Sequence, residues 1–120
     1  MLLIALLMAA AAPVQTQADM TRSAGTSYAQ ADAAMNAQWT RTYAYMKRRD
    51  GQDGSRGGGF GYAAALLESQ RAWLKFRDTQ CVIEGGQYAG GSAQGMTVAG
   101  CRTELTQART KQLRSMIWYQ

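Results

Sequence analysis

A chain of 120 residues with 13 Lys and Arg against 8 Asp and Glu carries a net charge of +5, and it contains no histidine. That length fits one domain. The missing histidine excludes the usual nucleophilic triads and most zinc sites, while the positive balance favours anionic partners over basic ones.

The first segment, residues 1–18, is free of ionisable side chains and apolar through Ala12. An apolar run closed by small residues is expected to act as a secretory signal, although no Lys or Arg precedes the run. Export places the chain in the periplasm or outside the cell, in an oxidising compartment. Residues 19–27, rich in Ser, Thr and Gly, are expected to form a disordered N-terminal segment ahead of a helical domain at 28–120.

Three helical patterns follow. The first covers 28–49, with Tyr28, Asp32, Met35, Asn36, Trp39, Tyr43 and Met46 at spacings of three and four, which share one face of a helix. It ends in Lys47, Arg48 and Arg49, favourable charges at a helix C-terminus. The segment DGQDGSRGGGFG that comes next reads as a mobile linker. A phosphate loop is excluded there, because no strand precedes it and the lysine and hydroxyl that would hold the nucleotide are missing.

The second helix is expected over 61–84, with Leu66, Gln70, Trp73, Leu74, Arg77 and Cys81 on its inner stripe. Gly85 and Gly86 stop it, and Gly90, Gly91 and Ser92 prepare the turn, with Ser92 a candidate cap for the helix that follows. The third helix spans 95–117, with Val98, Cys101, Leu105, Ala108 and Met116 facing together. Strand signals are almost absent. The fold class is therefore all-α: a small three-helix bundle in which an antiparallel helical hairpin is closed by one disulfide.

Cys81 and Cys101 form that disulfide rather than a metal site, since two lone cysteines make a poor ligand set. Pairing them across antiparallel helices puts the midpoint at Gly91, inside the glycine-rich turn. The same register places Arg77 opposite Leu105 and beside Glu104, Gln70 opposite Gln112, and Leu74 opposite Ala108. A buried charge needs a partner. The polar residues in the apolar stripes are thus expected to join in a structural network of Asp32, Asn36, Gln70, Arg77, Glu104 and Gln112, with Arg77 bridging Glu104 and Asp32. Asp32 and Glu104 as a pair of glycosidase carboxylates is the poorer reading, because an arginine between them keeps both ionised and removes the acid.

The run ESQRAWLKFRDTQC, the Gly90-Gly91-Ser92 turn, and CRTELTQARTKQL resemble the lysozyme-inhibitor LprI-like domain family of small exported bacterial proteins. The matching positions are Gln70, Arg71, Trp73, Arg77, Asp78 and Cys81 in the first element and Cys101, Glu104, Leu105, Thr106 and Arg109 in the last. Asp32 and Asn36 match an upstream element, with Met35 in place of leucine. The resemblance implies a helical, disulfide-closed envelope domain that works by binding, without catalysis, cofactor or metal. Lysozyme or another envelope protein is the implied partner, and the charge adds an anionic envelope surface of lipid or glycan; nucleic acid has no motif behind it. Asp50, Asp53 and Arg56 in the glycine-rich loop are the candidate partner-binding residues.

Overall fold

The computed structural model describes residues 15–54, 57 and 59–119. The expected signal segment falls mostly outside them. Three α-helices, α1 (Gln17–Gln52), α2 (Tyr62–Gly85) and α3 (Gln94–Ser115), carry the fold, with one short 3-10 turn at Gly86–Tyr88. Among the described residues there is no strand.

Residues 19–27, expected to be disordered, are helical. Thr16 and Asp19 form a reciprocal capping box, the Asp19 N–H donating to the Thr16 hydroxyl at 3.1 Å, which satisfies donors that a helix start leaves orphaned. Gln17, Met20, Thr21, Ala24 and Tyr28 are half-buried at helical spacing. Gln17 Nε2 reaches Met96 Sδ at 3.8 Å, so α3 supports this end and packing overrides the low helix propensity of Ser, Thr and Gly. The expected boundary after Ala18 lies within the first turn of α1.

At the other end of α1, Thr42 donates to the carbonyl of Leu113 at 2.9 Å. The first residues of α1 thus meet the first of α3, and its last turns meet the last, so these two helices run parallel. α2 runs antiparallel to both. Leu113 and Thr42 have no exposed surface, and the Thr42 hydroxyl is a second donor to a carbonyl in the last turn of α3 that also accepts from the Met116 N–H at 3.2 Å. Gln38 donates in turn to the Thr42 hydroxyl at 3.1 Å.

The bundle is sorted along its length. The apolar core, made of Met35, Tyr45, Met46, Ala63, Leu66 and Leu113, fills the half nearest the α1–α2 loop. The disulfide and the cluster around Arg77 lie toward the other end, although Gln38 and Thr42 are buried beside Leu113. Cys81 and Cys101 are bonded across α2 and α3, with Cα atoms 5.5 Å apart. One turn further on, the helices pinch together at Gly85: a Cβ there would stand 2.5 Å from Val98 Cγ2. Gly85→Ala is expected to push the hairpin apart and cost about 1–3 kcal/mol, readable as a lower urea midpoint with an unchanged slope. The turn between α2 and α3 needs glycine at Gly90, which takes a φ of +78°. Its N–H donates to the Gln94 side chain at 3.2 Å. Ser92 does not cap α3; the residue at that position is Ala93, without a side-chain hydrogen bond.

Candidate functional site

The inner stripe of α2 is buried where its spacing places it, at Leu66, Gln70, Arg77 and Cys81, with Trp73 and Leu74 half-buried. Arg77, 6% exposed, sits at the centre of a charged cluster. Its Nε donates to Asp78 at 3.0 Å, and its NH1 donates to Asp32 at 3.2 Å and to the Thr106 hydroxyl at 3.4 Å. Burial works to lower the Arg77 pKa, but the hydrogen bond and charge of Asp78, with Tyr28 and Asp32, outweigh it and the net shift is upward.

Glu104 is not a partner of Arg77. It is exposed, because it lies two positions before Thr106, and two residues rotate a helical side chain by about 200°. The pairing at the disulfide is that expected, yet a shift of a single residue away from it is enough to change which side chain faces inward. Ala108 is exposed for the same reason. Asn36 is also exposed, and donates to Asp32 Oδ2 at 3.4 Å, so it orients the carboxylate from the rim.

Gln70 and Gln112 do meet, but through a third residue absent from the expected network. Arg109, 4% exposed, donates from Nε to Gln70 Oε1 at 2.9 Å, from NH1 to Gln112 Oε1 at 2.6 Å, and from NH2 to the Ser69 hydroxyl at 3.1 Å. Gln70 Nε2 closes the layer by donating to Met35 Sδ at 3.7 Å. Arg109 is held by neutral oxygens alone, and burial lowers its pKa. The stripe of Thr106, Arg109, Thr110 and Leu113, all buried, carried the spacing that would have found it.

Aromatic faces join the two layers. Arg102 and Arg77 both lie over the Tyr28 ring, at 5.7 and 5.3 Å. Arg77 and Arg109 both lie over Trp73, at 5.4 and 5.8 Å. Guanidinium and ring thus alternate from Arg102 through Tyr28, Arg77 and Trp73 to Arg109. Each ring offers its negative face to two cations, and Asp78, 3.5 Å from Arg102 Nε, supplies charge between them. This cluster is a clamp: Arg77 and Arg109 donate to protein oxygens, Arg102 pairs with Asp78 by charge, and together the contacts join side chains of all three helices.

The α1–α2 loop is organised by its two aspartates. Asp50 accepts from the backbone N–H of Tyr62 at 2.6 Å and of Ala63 at 3.0 Å; it caps α2 and opposes its N-terminal dipole. Asp53 accepts from the N–H of Phe60 at 3.0 Å. The expected mobile linker is therefore tied at both ends, and both carboxylates are directed at their own backbone. Arg56 lies outside the described residues. Asp50→Ala is expected to cost about 1 kcal/mol and to raise amide exchange first in the opening turn of α2. No group of His, Cys, Asp and Glu suited to a metal ion occurs among the described residues, and none of the described helices is long and apolar enough to cross a membrane.

An uncharacterized protein of Rhizobium meliloti (strain 1021), R02472, is 36% identical over 103 residues, covering 85% of this chain and 74% of that protein. No solved structure matches. The family model described as lysozyme inhibitor LprI matches residues 8–113, a span that takes in α1, α2 and α3 as far as Leu113, both cysteines and every arginine of the clamp: the chain belongs to the lysozyme inhibitor LprI family.

Proposed function

We propose that this protein is an exported, non-catalytic binding module of the bacterial envelope, periplasmic or secreted, that engages a lysozyme-type protein. Family membership supports the reading, and one structural observation carries it. The loop between α1 and α2 is tied at each end by Asp50 and Asp53, so a partner meets a surface whose ordering cost is partly met before contact. Asp50, Asp53 and Arg56 remain the proposed partner-facing loop, with the two carboxylates holding its shape and Arg56 suited to a carboxylate-lined cleft.

The net charge of +5 opposes approach to a basic lysozyme. Short-range contacts must then carry the affinity, and added salt should quicken association by screening the repulsion. The test is calorimetric titration of the oxidised protein into a chicken-type lysozyme at physiological salt, beside a lysis assay. Micromolar or tighter binding with slowed lysis is the expected result. No heat and undiminished lysis would reject inhibition of that lysozyme class.

The same charge supports a second reading, attachment to an anionic lipid or glycan surface of the envelope without any lysozyme contact. Its signature has the opposite sign: binding to anionic vesicles that falls steeply as salt is added.

A further inference from the structure

At the loop end of the bundle, three separate parts of the chain close around Arg49. α1 brings Tyr45, Arg48, Arg49 and Gln52, the start of α2 brings Tyr62, and the segment after α3 brings Trp118 and Tyr119. The Arg49 guanidinium lies 5.0 Å from the ring centre of Tyr62, 5.1 Å from Trp118, 5.7 Å from Tyr119 and 6.0 Å from Tyr45. Its NH1 donates to the Tyr45 hydroxyl at 3.4 Å. Its Nε is buried and has no hydrogen-bond partner.

This arginine differs from those of the clamp. Arg77 and Arg102 have carboxylates, and Arg109 has three neutral oxygens; Arg49 makes no ion pair with a carboxylate among the described residues. Asp50, its neighbour in sequence, has both oxygens turned to the N–H groups of α2. Arg49 therefore presents a cation without a carboxylate partner beside partly exposed aromatic rings, where an incoming carboxylate can make charge-assisted hydrogen bonds. Hydrogen bonds to the hydroxyls of Tyr45 and Tyr62 raise its pKa, so the cation persists without a counter-ion.

Beside it opens a concave cavity of about 230 Å³, lined by Tyr45, Arg48, Arg49, Gln52 and Tyr119. That is below the range of drug-sized pockets and of the order of one sugar ring with a substituent. Tyr119, which lines it, and Trp118, beside Arg49, are 75% and 52% exposed and leave aromatic surface in water next to it. A pyranose offers such a surface its C–H groups while its hydroxyls need polar partners, which Gln52 and the tyrosine hydroxyls can supply. A carboxylate on the ring would match the fork of Arg49 and the charge of Arg48.

We propose that the cavity at Arg49, Arg48, Gln52 and Tyr119 is a binding site for an acidic saccharide, a sugar ring carrying a carboxylate, seated on the aromatic edge with its carboxylate on Arg49. The site is independent of lysozyme binding and would survive the failure of that reading. The probes are a galacturonate tetramer, the neutral galactose tetramer, and a penta-glutamate peptide, each titrated calorimetrically into the oxidised protein. Saturable binding of the galacturonate tetramer, at least about tenfold tighter than either comparison probe, is expected, since charge-assisted hydrogen bonds discriminate by that much or more. Arg49→Gln should weaken it by about tenfold or more, and Tyr119→Ala, at an exposed position where the fold is indifferent, by about twofold to tenfold. Equal binding of the neutral tetramer would reduce the site to an aromatic platform and overturn the proposal. Tighter binding of penta-glutamate would overturn it in favour of an acidic protein surface. Should Arg49→Gln unfold the chain, the comparison of the two tetramers and the Tyr119→Ala titration still decide.

Discussion

Arg77→Ala is expected to lower the free energy of unfolding by about 3 kcal/mol, toward the lower end of the range for breaking a buried ion pair. Arg77 is 6% exposed, and the substitution removes three hydrogen bonds, to Asp78, Asp32 and the Thr106 hydroxyl, together with the stacking between Tyr28 and Trp73. The lower end applies because Asp32 and Asp78 keep 36% and 48% of their side-chain surface in water, so neither is stranded dry. Arg77→Lys keeps the charge but not the planar fork that serves three acceptors at once, and about half the loss should remain. A double-mutant cycle of Arg77→Ala with Asp32→Asn checks the cause. A coupling of about 1 kcal/mol or more is expected for a direct pair, and additive losses would mean that Arg77 acts by packing alone.

The second large effect belongs to the disulfide. Cys81→Ala with Cys101→Ala is expected to cost about 3 kcal/mol, because the bond closes a loop with a sequence separation of 20 and removes that freedom from the unfolded chain. Urea unfolding of the oxidised protein and the double variant measures it; coincident midpoints would show that the bond constrains nothing. Both sulfurs are buried, with Cys81 at 0% and Cys101 at 5% exposure. A mild reductant should therefore reach them only through opening of the hairpin, and reduction should accelerate in step with added urea below the transition. Gly85→Ala loosens the same end of the hairpin, so it should speed reduction as well.

These two features differ in how far the linear chain reveals them. The antiparallel hairpin and the buried face of α2 follow from spacing, because a helix turns about 100° per residue and puts Leu66, Gln70, Arg77 and Cys81 on one side wherever the helix is placed; the disulfide follows from two lone cysteines in a chain expected to be exported. Asp32 as a partner of Arg77 was also legible, since a buried cation on one stripe calls for an anion on another. Glu104 was the error of the same argument: two carboxyl-bearing positions satisfied the charge rule, and only the rotation of α3 separates them. Arg109 lies outside the expected network because a buried arginine with no carboxylate breaks the pairing rule, and its three oxygen partners come from side chains on α2 and α3 that lie far apart in sequence or one turn away.

The loop and the first turns of α1 mark the other boundary. Glycine and small polar residues signal freedom in an isolated chain. Asp50 and Asp53 withdraw that freedom by accepting from N–H groups 7–13 positions later, and α3 withdraws it from residues 19–27 by lying alongside them. By itself the sequence determined the helical class, the pairing of the cysteines, the turn at Gly90 and the polar character of the core, because these depend on local period and residue chemistry. The tertiary structure decided the parallel course of α1 and α3, the choice of Asp32 and Asp78 over Glu104, and the gathering of Tyr45, Tyr62, Trp118 and Tyr119 around Arg49. Those depend on the rotation and register of helices against one another, which is set by the packing of all three together and is written in no single segment.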